Sequence, residues 1–358
     1  MLAQRLSQPE LAGCDPSRLV GAVLLAPVRL TTGTLRKGTR LDAEAGGSLI
    51  AAARSGDLDR PLRLAWPGPD DLHEDEAARR LAVAAAGTGV KQSAPRQSRL
   101  DLVARWDGVL HVRTDALLRL NAIDSLEVFT LFHGQVVQAG QVVASVKVAP
   151  HLISSAAVGE GIQIACENGL PLVDVRHYKP FDVAAIVLES VSSVDLARFE
   201  SAARMKVEAL GSRFLGARFI AKPDGEDSED QIRAALQELV LERRLPVILV
   251  GGVSAGDPLS PFYPALESLG GRVLRHGIPA HPGSMIWLAE LAQSRLLGVP
   301  QCGMFTLATA ADLVLPRLLT GERLTSKELA ELAHGGVLTP EMRFRFPPYA
   351  RDLEAPEG

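Results

Sequence analysis

The feature that most constrains the fold is a short apolar run, rich in β-branched residues, that ends directly in glycine. It occupies Pro246–Asp257 and reads PVILVGGVSAGD. A run of this length and composition is typical of a strand buried on both faces of a parallel sheet. Gly251, Gly252 and Gly256 permit a sharp turn and a close approach of the backbone to a ligand. The segment therefore predicts a buried strand that leads into a ligand-binding turn.

A helix is predicted to follow this turn. Pro258 and Pro261 favour a helix that begins at about Ser260 to Phe262, because proline is tolerated in a first turn. Free N–H groups and the helix dipole at such a start favour a bound anion. The segment is thus the best candidate for a phosphate-binding loop, although it matches neither the GxGxxG fingerprint of dinucleotide-binding proteins nor the P-loop pattern.

Strand and helix patterns alternate through the second half of the chain. Strands are predicted over 183–191, 217–221, 247–250, 272–274 and 296–299, and helices over 195–210, 229–243, 261–269, 285–293 and 306–319. This alternation predicts a mostly parallel sheet covered by helices on both faces. Ligands of such sheets lie at the carboxyl ends of the strands. The loops over 251–257 and 300–305 are therefore expected to be neighbours.

The first half of the chain is predicted to be mixed α+β. A buried strand is predicted over Val20–Leu30, and a helix begins near Leu72 and ends at Gly87, with acidic residues in its first turn. Short β-rich pieces broken by glycine, over 98–150, resemble a barrel-sandwich hybrid. The predicted regions are an α+β region over 1–97, a barrel-sandwich-like β region over 98–170, an α/β domain over 171–325 and a tail over 326–358.

Composition excludes several classes of protein. The 358 residues are 47% hydrophobic and carry a formal net charge of −4, which gives no electrostatic case for nucleic-acid binding. No apolar run reaches the length of a transmembrane helix. The N-terminus lacks the apolar core of a signal peptide, so a cytoplasmic location is expected. Cys14, Cys166 and Cys302 form no CxxC pair, so no zinc or iron–sulfur site is predicted.

Several polar residues near the predicted loops have both a functional and a structural explanation. Ser254 could donate its hydroxyl to a phosphate or cap the turn. Asp257 could orient a metal or a hydroxyl, or accept hydrogen bonds from helix N–H groups. Within the loop over His276–Met285, His281 or Ser284 could contact an anion or be ordinary surface residues.

Two further segments carry reactive or acidic side chains. Val299–Thr306 repeats the order of strand, turn and helix, and Cys302 in it is either a reactive thiol or a small buried one. The acidic stretch over Asp224–Asp230 could hold Mg²⁺, or it could simply favour the start of the next helix.

These segments, in this order, resemble the molybdopterin-binding domain of molybdenum-cofactor biosynthesis proteins over about residues 181–320. GGVSAGD at 251–257 is similar to the GGVSxG loop of the gephyrin-type molybdopterin molybdenumtransferases. HPGSM at 281–285 is similar to their KPGKP loop, and GVPQCG at 298–303 stands where they carry GLPGNP.

A second resemblance, to a bacterial family of molybdopterin-binding proteins, covers nearly the whole chain. It is carried by the PGxM loop, by DLVLPRLLTGE at 312–322, by HEDEAARRLA at 73–82 and by the β-rich stretch over 98–150. That family has a cysteine-rich tail, which this chain lacks, so no metal role is inferred for the tail.

The chain departs from the transferases at residues that bear on catalysis. Leu259 stands where they have an aspartate, and Asp257 where they often have glutamate. His281 and Ser284 replace two lysines, which removes two positive charges near bound phosphate or molybdate. Because positive charge and usually Mg²⁺ manage the charge of a phosphate leaving group, these departures favour binding over catalysis.

The resemblance implies a three-layer α/β/α molybdopterin-binding domain. Its ligand is molybdopterin or the molybdenum cofactor, bound through the terminal phosphate, and its role is biosynthesis, maturation or delivery of that cofactor. One alternative is an active molybdopterin molybdenumtransferase, with Asp257 as the catalytic residue and Mg²⁺ as a candidate cofactor. Another is a non-enzymatic interaction module with a degenerate ligand site.

The resemblance also implies partners and ligand-binding residues. The expected partners are the pterin, a molybdenum enzyme or another cofactor-biosynthesis protein, and a second copy of the chain, but neither nucleic acid nor a membrane. The implied ligand-binding residues are Gly251, Gly252, Val253, Ser254, Ala255, Gly256, His281, Pro282, Gly283, Ser284, Gln301, Cys302 and Gly303.

Overall fold

The structure is a computed structural model, and it describes residues 1–95, 99–188, 193–220, 228–299 and 308–351. Backbone contacts divide the chain into two compact units. Unit 1 comprises Met1–Arg105, His111–His133 and Ala139–Val175, and unit 2 comprises Trp106–Leu110, Gly134–Gln138 and Arg176–Gly358. The four regions drawn from the sequence remain a prediction.

The elements up to residue 177 are short. The strands are β1 (Leu2–Leu6), β2 (Val23–Leu24), β3 (Val28–Leu30), β4 (Gly33–Leu35), β5 (Leu62–Trp66), β6 (Asp71–His73), β7 (Val90–Gln92), β8 (Arg99–Ala104), β9 (Gly108–Val112), β10 (Leu126–Thr130), β11 (Val136–Val137), β12 (Val142–Val148), β13 (Leu152–Ser154) and β14 (Val173–His177). The helices are α1 (Gln8–Ala12), α2 (Ala43–Ser55), α3 (Glu74–Ala85), α4 (Thr114–Asn121) and α5 (Ser155–Ala165).

Unit 1 is mixed α+β, as the sequence predicts. A four-stranded antiparallel sheet in the order β10-β12-β8-β7 forms where the β-rich stretch was expected. Helix α3 begins at Glu74, where the His73 imidazole caps it by accepting a hydrogen bond from the Asp75 N–H. The single strand predicted over Val20–Leu30 is wrong. It is split into β2 and β3, with Pro27 between them, because proline has no N–H to donate to a strand partner.

Unit 2 carries the alternating strands and helices. Six of its described strands come after residue 177, namely β15 (Asp182–Val187), β16 (Arg213–Phe219), β17 (Val247–Gly251), β18 (Arg272–His276), β19 (Trp287–Leu291) and β20 (Ser294–Val299). Its helices are α6 (Ser193–Glu208), α7 (Ser228–Leu236), α8 (Phe262–Ser268), α9 (Ala311–Leu319), α10 (Ser326–Ala330) and α11 (Pro348–Arg351), with a π-helical turn over Gln237–Glu242 after α7.

The six strands of unit 2 form one sheet in the order β16-β15-β17-β20-β19-β18. Strands β16, β15, β17 and β20 run parallel, and β19 runs antiparallel to both of its neighbours. Alternate residues of β15 face opposite ways. Val183, Ala185 and Val187 pack with residues of α6 and α9, whereas Ala184 and Ile186 pack with residues of α7 and α8. Unit 2 therefore contains the expected three-layer α/β/α arrangement with a mostly parallel sheet.

One predicted helix of unit 2 is a strand. Residues 285–293 were expected to be helical, but Trp287–Leu291 form β19. The leucine, alanine and glutamate residues there favour helices on intrinsic propensity. Both faces of this segment are nevertheless buried, with Leu288 in the core on one side of the sheet and Ala289 in the core on the other. Burial on alternating faces suits a central strand, and this tertiary packing outweighs local preference.

Helix α9 is the buried helix of unit 2. All nine of its residues are buried, including Asp312, whose carboxylate lies 3.0 Å from the Lys206 ammonium of α6. That carboxylate also accepts hydrogen bonds from the Thr309 N–H and from the Tyr349 hydroxyl. Because this buried charge has all of these partners, the helix can lie in the core without an unpaired carboxylate. None of the described helices is both long and apolar enough to cross a membrane.

The contact between Trp287 and Gly298 links β19 to β20. The two residues are paired across the strands, and a Cβ placed on Gly298 would lie 2.1 Å from Cε2 of the indole. Trp287 is fully buried. The indole therefore occupies the space that any side chain at position 298 would need.

We expect Gly298→Ala to lower the free energy of unfolding by about 1–3 kcal/mol, because the added methyl group overpacks this contact. Gly159→Ala, in α5, is the control, since a Cβ there meets nothing within 4 Å. Alanine also favours a helix interior. Denaturant unfolding followed by circular dichroism measures both variants. Equal stability of Gly298→Ala and the parent chain would contradict the packing described.

Candidate functional site

The carboxyl ends of three parallel strands lie side by side in unit 2. Val187 of β15 pairs with Gly251 of β17, which pairs with Val299 of β20. From β15 the chain crosses to β16 on one side, and from β17 it continues to strands on the other side. Parallel sheets bind ligands in the crevice where the direction of crossing reverses. That crevice lies beyond β15 and β17, and the loop over 252–261 begins there.

The loop turns away from the sheet at Gly252. This residue has a φ of +79°, a left-handed conformation that favours glycine. Val253 is buried, and Ser254 is exposed. The Ser254 hydroxyl accepts a hydrogen bond from the Gly256 N–H at 3.2 Å. The structural explanation of this serine, a cap on the turn, is therefore confirmed, and its hydroxyl proton can still be donated elsewhere.

Two buried aromatic residues hold the loop by its carbonyl groups. Trp287 Nε1 donates to the Val253 carbonyl oxygen at 2.9 Å, and the Tyr263 hydroxyl donates to the Ser254 carbonyl oxygen at 3.0 Å. The two rings are themselves in contact, with centroids 6.0 Å apart. No motif pointed to either residue, and only proximity in the fold brings them to the loop.

These two hydrogen bonds also determine where the loop N–H groups point. The Val253 carbonyl shares a peptide plane with the Ser254 N–H, and the Ser254 carbonyl shares one with the Ala255 N–H. In a trans peptide the C=O and N–H bonds point in opposite directions. Because both carbonyls are held against Trp287 and Tyr263, both N–H groups point away from those rings. Among the described residues, neither N–H group has an acceptor. They form a pair of donors suited to an anion.

Helix α8 begins within the range that the sequence analysis predicted, but several residues separate its start from the glycine turn. It begins at Phe262 and has only seven residues, so it follows the glycine turn instead of adjoining it. The exposed Asp257 carboxylate accepts a hydrogen bond from the Leu259 N–H at 3.0 Å within this intervening turn. Anion binding at the loop would therefore depend on the loop's own N–H groups.

The second predicted loop is held by its backbone. The His281 N–H donates to the Gly336 carbonyl at 2.7 Å, and the His281 carbonyl accepts from the Leu338 N–H at 2.8 Å. The imidazole remains exposed. Gly283 has a φ of +105°, and a Cβ there would lie 2.8 Å from the Ala310 nitrogen. Glycine is thus required at 283 by conformation and by space together.

The structure brings the two loops together at Met285. A Cβ on Gly256 would lie 3.1 Å from the Met285 Cε, and the Met285 residue is 47% exposed. Leu259, on the neighbouring turn, is 89% exposed. The crevice is therefore bordered by polar N–H groups and by apolar side chains.

Some predicted residues cannot be placed. Gln301, Cys302 and Gly303 lie outside the described residues, as does most of the acidic stretch. Its last member, Asp230, is paired with Arg233. Over the described ranges, no group of three or more histidine, cysteine, aspartate or glutamate side chains is arranged to hold a metal.

Comparisons with known proteins give no family assignment. No family model matches the chain, and no curated protein matches it. Among 43 matching chains of solved structures is a molybdopterin biosynthesis MoeA protein from Pyrococcus horikosii, at 15% identity and a TM-score of 0.29, covering 70% of this chain and 79% of that chain.

A second solved structure is a molybdenum cofactor biosynthesis protein B, at 12% identity and a TM-score of 0.25, covering 44% of this chain and 98% of that chain. At these scores and identities, neither similarity assigns a function to this chain.

The tyrosine that holds the loop gives a pH-dependent prediction. Burial, with a contribution from the Asp257 charge, raises the pKa of Tyr263 from 10.0 to about 12. Burial also raises the pKa values of Tyr178 and Tyr349, the two other tyrosines of the chain. A raised tyrosine pKa stabilises the fold below the unfolded value and is lost as pH rises towards the folded value.

We therefore expect the native chain to form no tyrosinate near pH 10, and Tyr263 to ionise first, near pH 12. The free energy of unfolding should fall across this interval. Tyr263→Phe should remove the earliest step from the native titration. Ultraviolet absorbance of tyrosinate against pH measures the effect. An ionisation step near pH 10 in the folded chain that Tyr263→Phe removes would contradict the buried hydrogen bond to Ser254.

Proposed function

We propose that this chain binds molybdopterin or the molybdenum cofactor through its terminal phosphate, and that it acts in biosynthesis, maturation or delivery of that cofactor. The observation that carries the proposal is the pair of outward N–H groups of Ser254 and Ala255 at the crevice of the sheet. The resemblance of the 251–257 and 281–285 segments to molybdopterin-binding loops supports the choice of ligand.

Different residues at the loop would make different contacts with the ligand. The N–H groups of Ser254 and Ala255 would donate to phosphate oxygens, and the Ser254 hydroxyl proton would add a third donor. Gly252 leaves the approach clear, because it carries no side chain. Met285 and Leu259 would provide apolar surface beside the phosphate for the pterin ring. The pterin itself supplies the dithiolene that binds molybdenum.

The charges of the site favour holding the cofactor over transforming it. Within the 251–257 and 281–285 loops, Asp257 and His281 are the only ionisable side chains. Transfer of molybdate to an adenylylated pterin requires positive charge to stabilise the departing phosphate. An active molybdenumtransferase, with Asp257 and Mg²⁺ in catalysis, is the alternative. A molybdenum enzyme, a second biosynthesis protein or another copy of the chain would be the partner of a carrier.

The test is a calorimetric titration of the full chain with molybdopterin and with its adenylylated form, each with and without Mg²⁺. We expect saturable binding that Gly252→Val weakens about tenfold, since a β-branched residue strains this left-handed turn. Gly270→Val is the matched control. Its φ is +80° and a Cβ there meets nothing within 4 Å, so it carries the same strain away from the crevice. Equal weakening by both variants would contradict a site at the loop.

The same protein distinguishes the alternatives. Supplied with molybdate, Mg²⁺ and adenylylated molybdopterin, an active transferase would release cofactor, and Asp257→Ala would abolish the release. Binding without turnover supports a carrier. Absence of binding to every pterin form would leave the interaction module as the better description.

A further inference from the structure

Unit 1 contains a concave site that the proposed function does not use. A cavity of about 560 Å³ is lined by the turn over 36–40, by residues 73–75, and by Lys147, Ala149 and His151. All of these residues belong to unit 1. The volume lies in the range of pockets that bind small molecules, and the lining is dominated by ionisable side chains.

The charges that line the cavity are unbalanced. The lining contains four cationic side chains and two carboxylates, so positive charge is in excess even when the Glu127 carboxylate beside Lys147 is counted. Lys147 lies 4.0 Å from Glu127. The side chains of Arg36, Lys37 and Arg40 make no ion pair or hydrogen bond within the described part of the chain. Cationic side chains without partners around a concave surface concentrate anions there.

The floor of the cavity is built around a buried carboxylate. Glu74 is only 5% exposed. Its carboxylate accepts a hydrogen bond from His151 Nδ1 at 2.9 Å. Gly38 has a φ of +80°, and a Cβ there would lie 2.3 Å from the Glu74 carboxylate. A side chain at position 38 would therefore displace the carboxylate. Glycine lets the basic turn over 36–40 close down on this pair.

His73 holds the other side of the same turn. Its Nε2 lies 2.8 Å from the Gly38 carbonyl oxygen, and its Nδ1 accepts from the Asp75 N–H. These partners require the tautomer that carries its proton on Nε2. The His73 imidazole thereby links the basic turn over 36–40 to the start of α3, where Glu74 and Asp75 also lie. Hydrogen bonds therefore hold the floor of the cavity in place, and the exposed side chains of Arg36, Lys37 and Arg40 lie at its rim.

We propose that this cavity in unit 1 is a second anion site, which takes a phosphate-bearing small molecule. The excess of positive charge favours a phosphate or diphosphate group, and arginine and lysine are side chains well suited to binding phosphate. A concave site of this volume favours a free phosphate compound over a lipid headgroup, which would have to stay in its membrane. The site is independent of the loop in unit 2, because no residue is shared between them.

The test is calorimetric titration of the full chain with inorganic diphosphate at low ionic strength. The variant Arg36→Ala/Lys37→Ala should weaken binding about tenfold, because it removes two charge-assisted donors. Arg79→Ala/Lys91→Ala is the control, with the same loss of charge at two exposed residues that do not line the cavity. Melting curves establish that each variant is folded.

Two further variants make the test selective. One removes a negative charge from the cavity, and the other changes the loop of unit 2. Glu74→Gln removes negative charge without changing shape, and it should strengthen diphosphate binding about threefold. Gly252→Val should leave the part of diphosphate binding that depends on Arg36 and Lys37 unchanged, because the cavity shares no residue with the loop of unit 2. Weakening by Gly252→Val alone, or equal weakening by the control pair, would overturn the proposal. Binding to phosphatidic acid vesicles without binding to free diphosphate would overturn it as well.

Discussion

The loop geometry of unit 2 depends on one fully buried indole. Trp287 packs where Gly298 has no side chain, and its N–H holds the Val253 carbonyl. Because a peptide group is planar, fixing that carbonyl also aims the following N–H away from the ring. Tyr263 holds the next carbonyl, that of Ser254, in the same way. The interior of the sheet thus determines the direction of donors at its edge, and those donors are the basis of the proposed phosphate site.

The rest of unit 2 supports this arrangement from the other side. The 281–285 loop is fixed by backbone hydrogen bonds to residues 336–338 and to Ala310, at the start of α9. That helix is buried throughout, with Asp312 paired to Lys206. Removing one partner from a buried pair of this kind typically costs about 3–5 kcal/mol. Hydrogen bonds from packed elements therefore hold both loops in place, as a preorganised binding site requires.

The two candidate anion sites use different physics. The loop in unit 2 offers neutral backbone donors and few charges, so its attraction for a phosphate is short-ranged and directional. The cavity in unit 1 offers cationic side chains, whose attraction is longer-ranged and is screened by salt. A chain with a net charge of −4 has no general affinity for anions. Anion binding at either candidate site would therefore depend on the local placement of donors and charges.

Much of the fold and part of the site could be predicted from the sequence. The apolar run over 247–251, the capped helix α3 and the glycine turn are local patterns, and local patterns persist in the fold. Other local patterns, such as the helix expected over 285–293, did not persist, because what only the tertiary structure decided depends on residues distant in sequence. Trp287 reaches a carbonyl 34 residues away, and burial on both faces turned the helix expected over 285–293 into β19. Likewise, Gly38, Glu74 and His151 meet only in the folded chain, because no local pattern encodes contacts between residues so far apart.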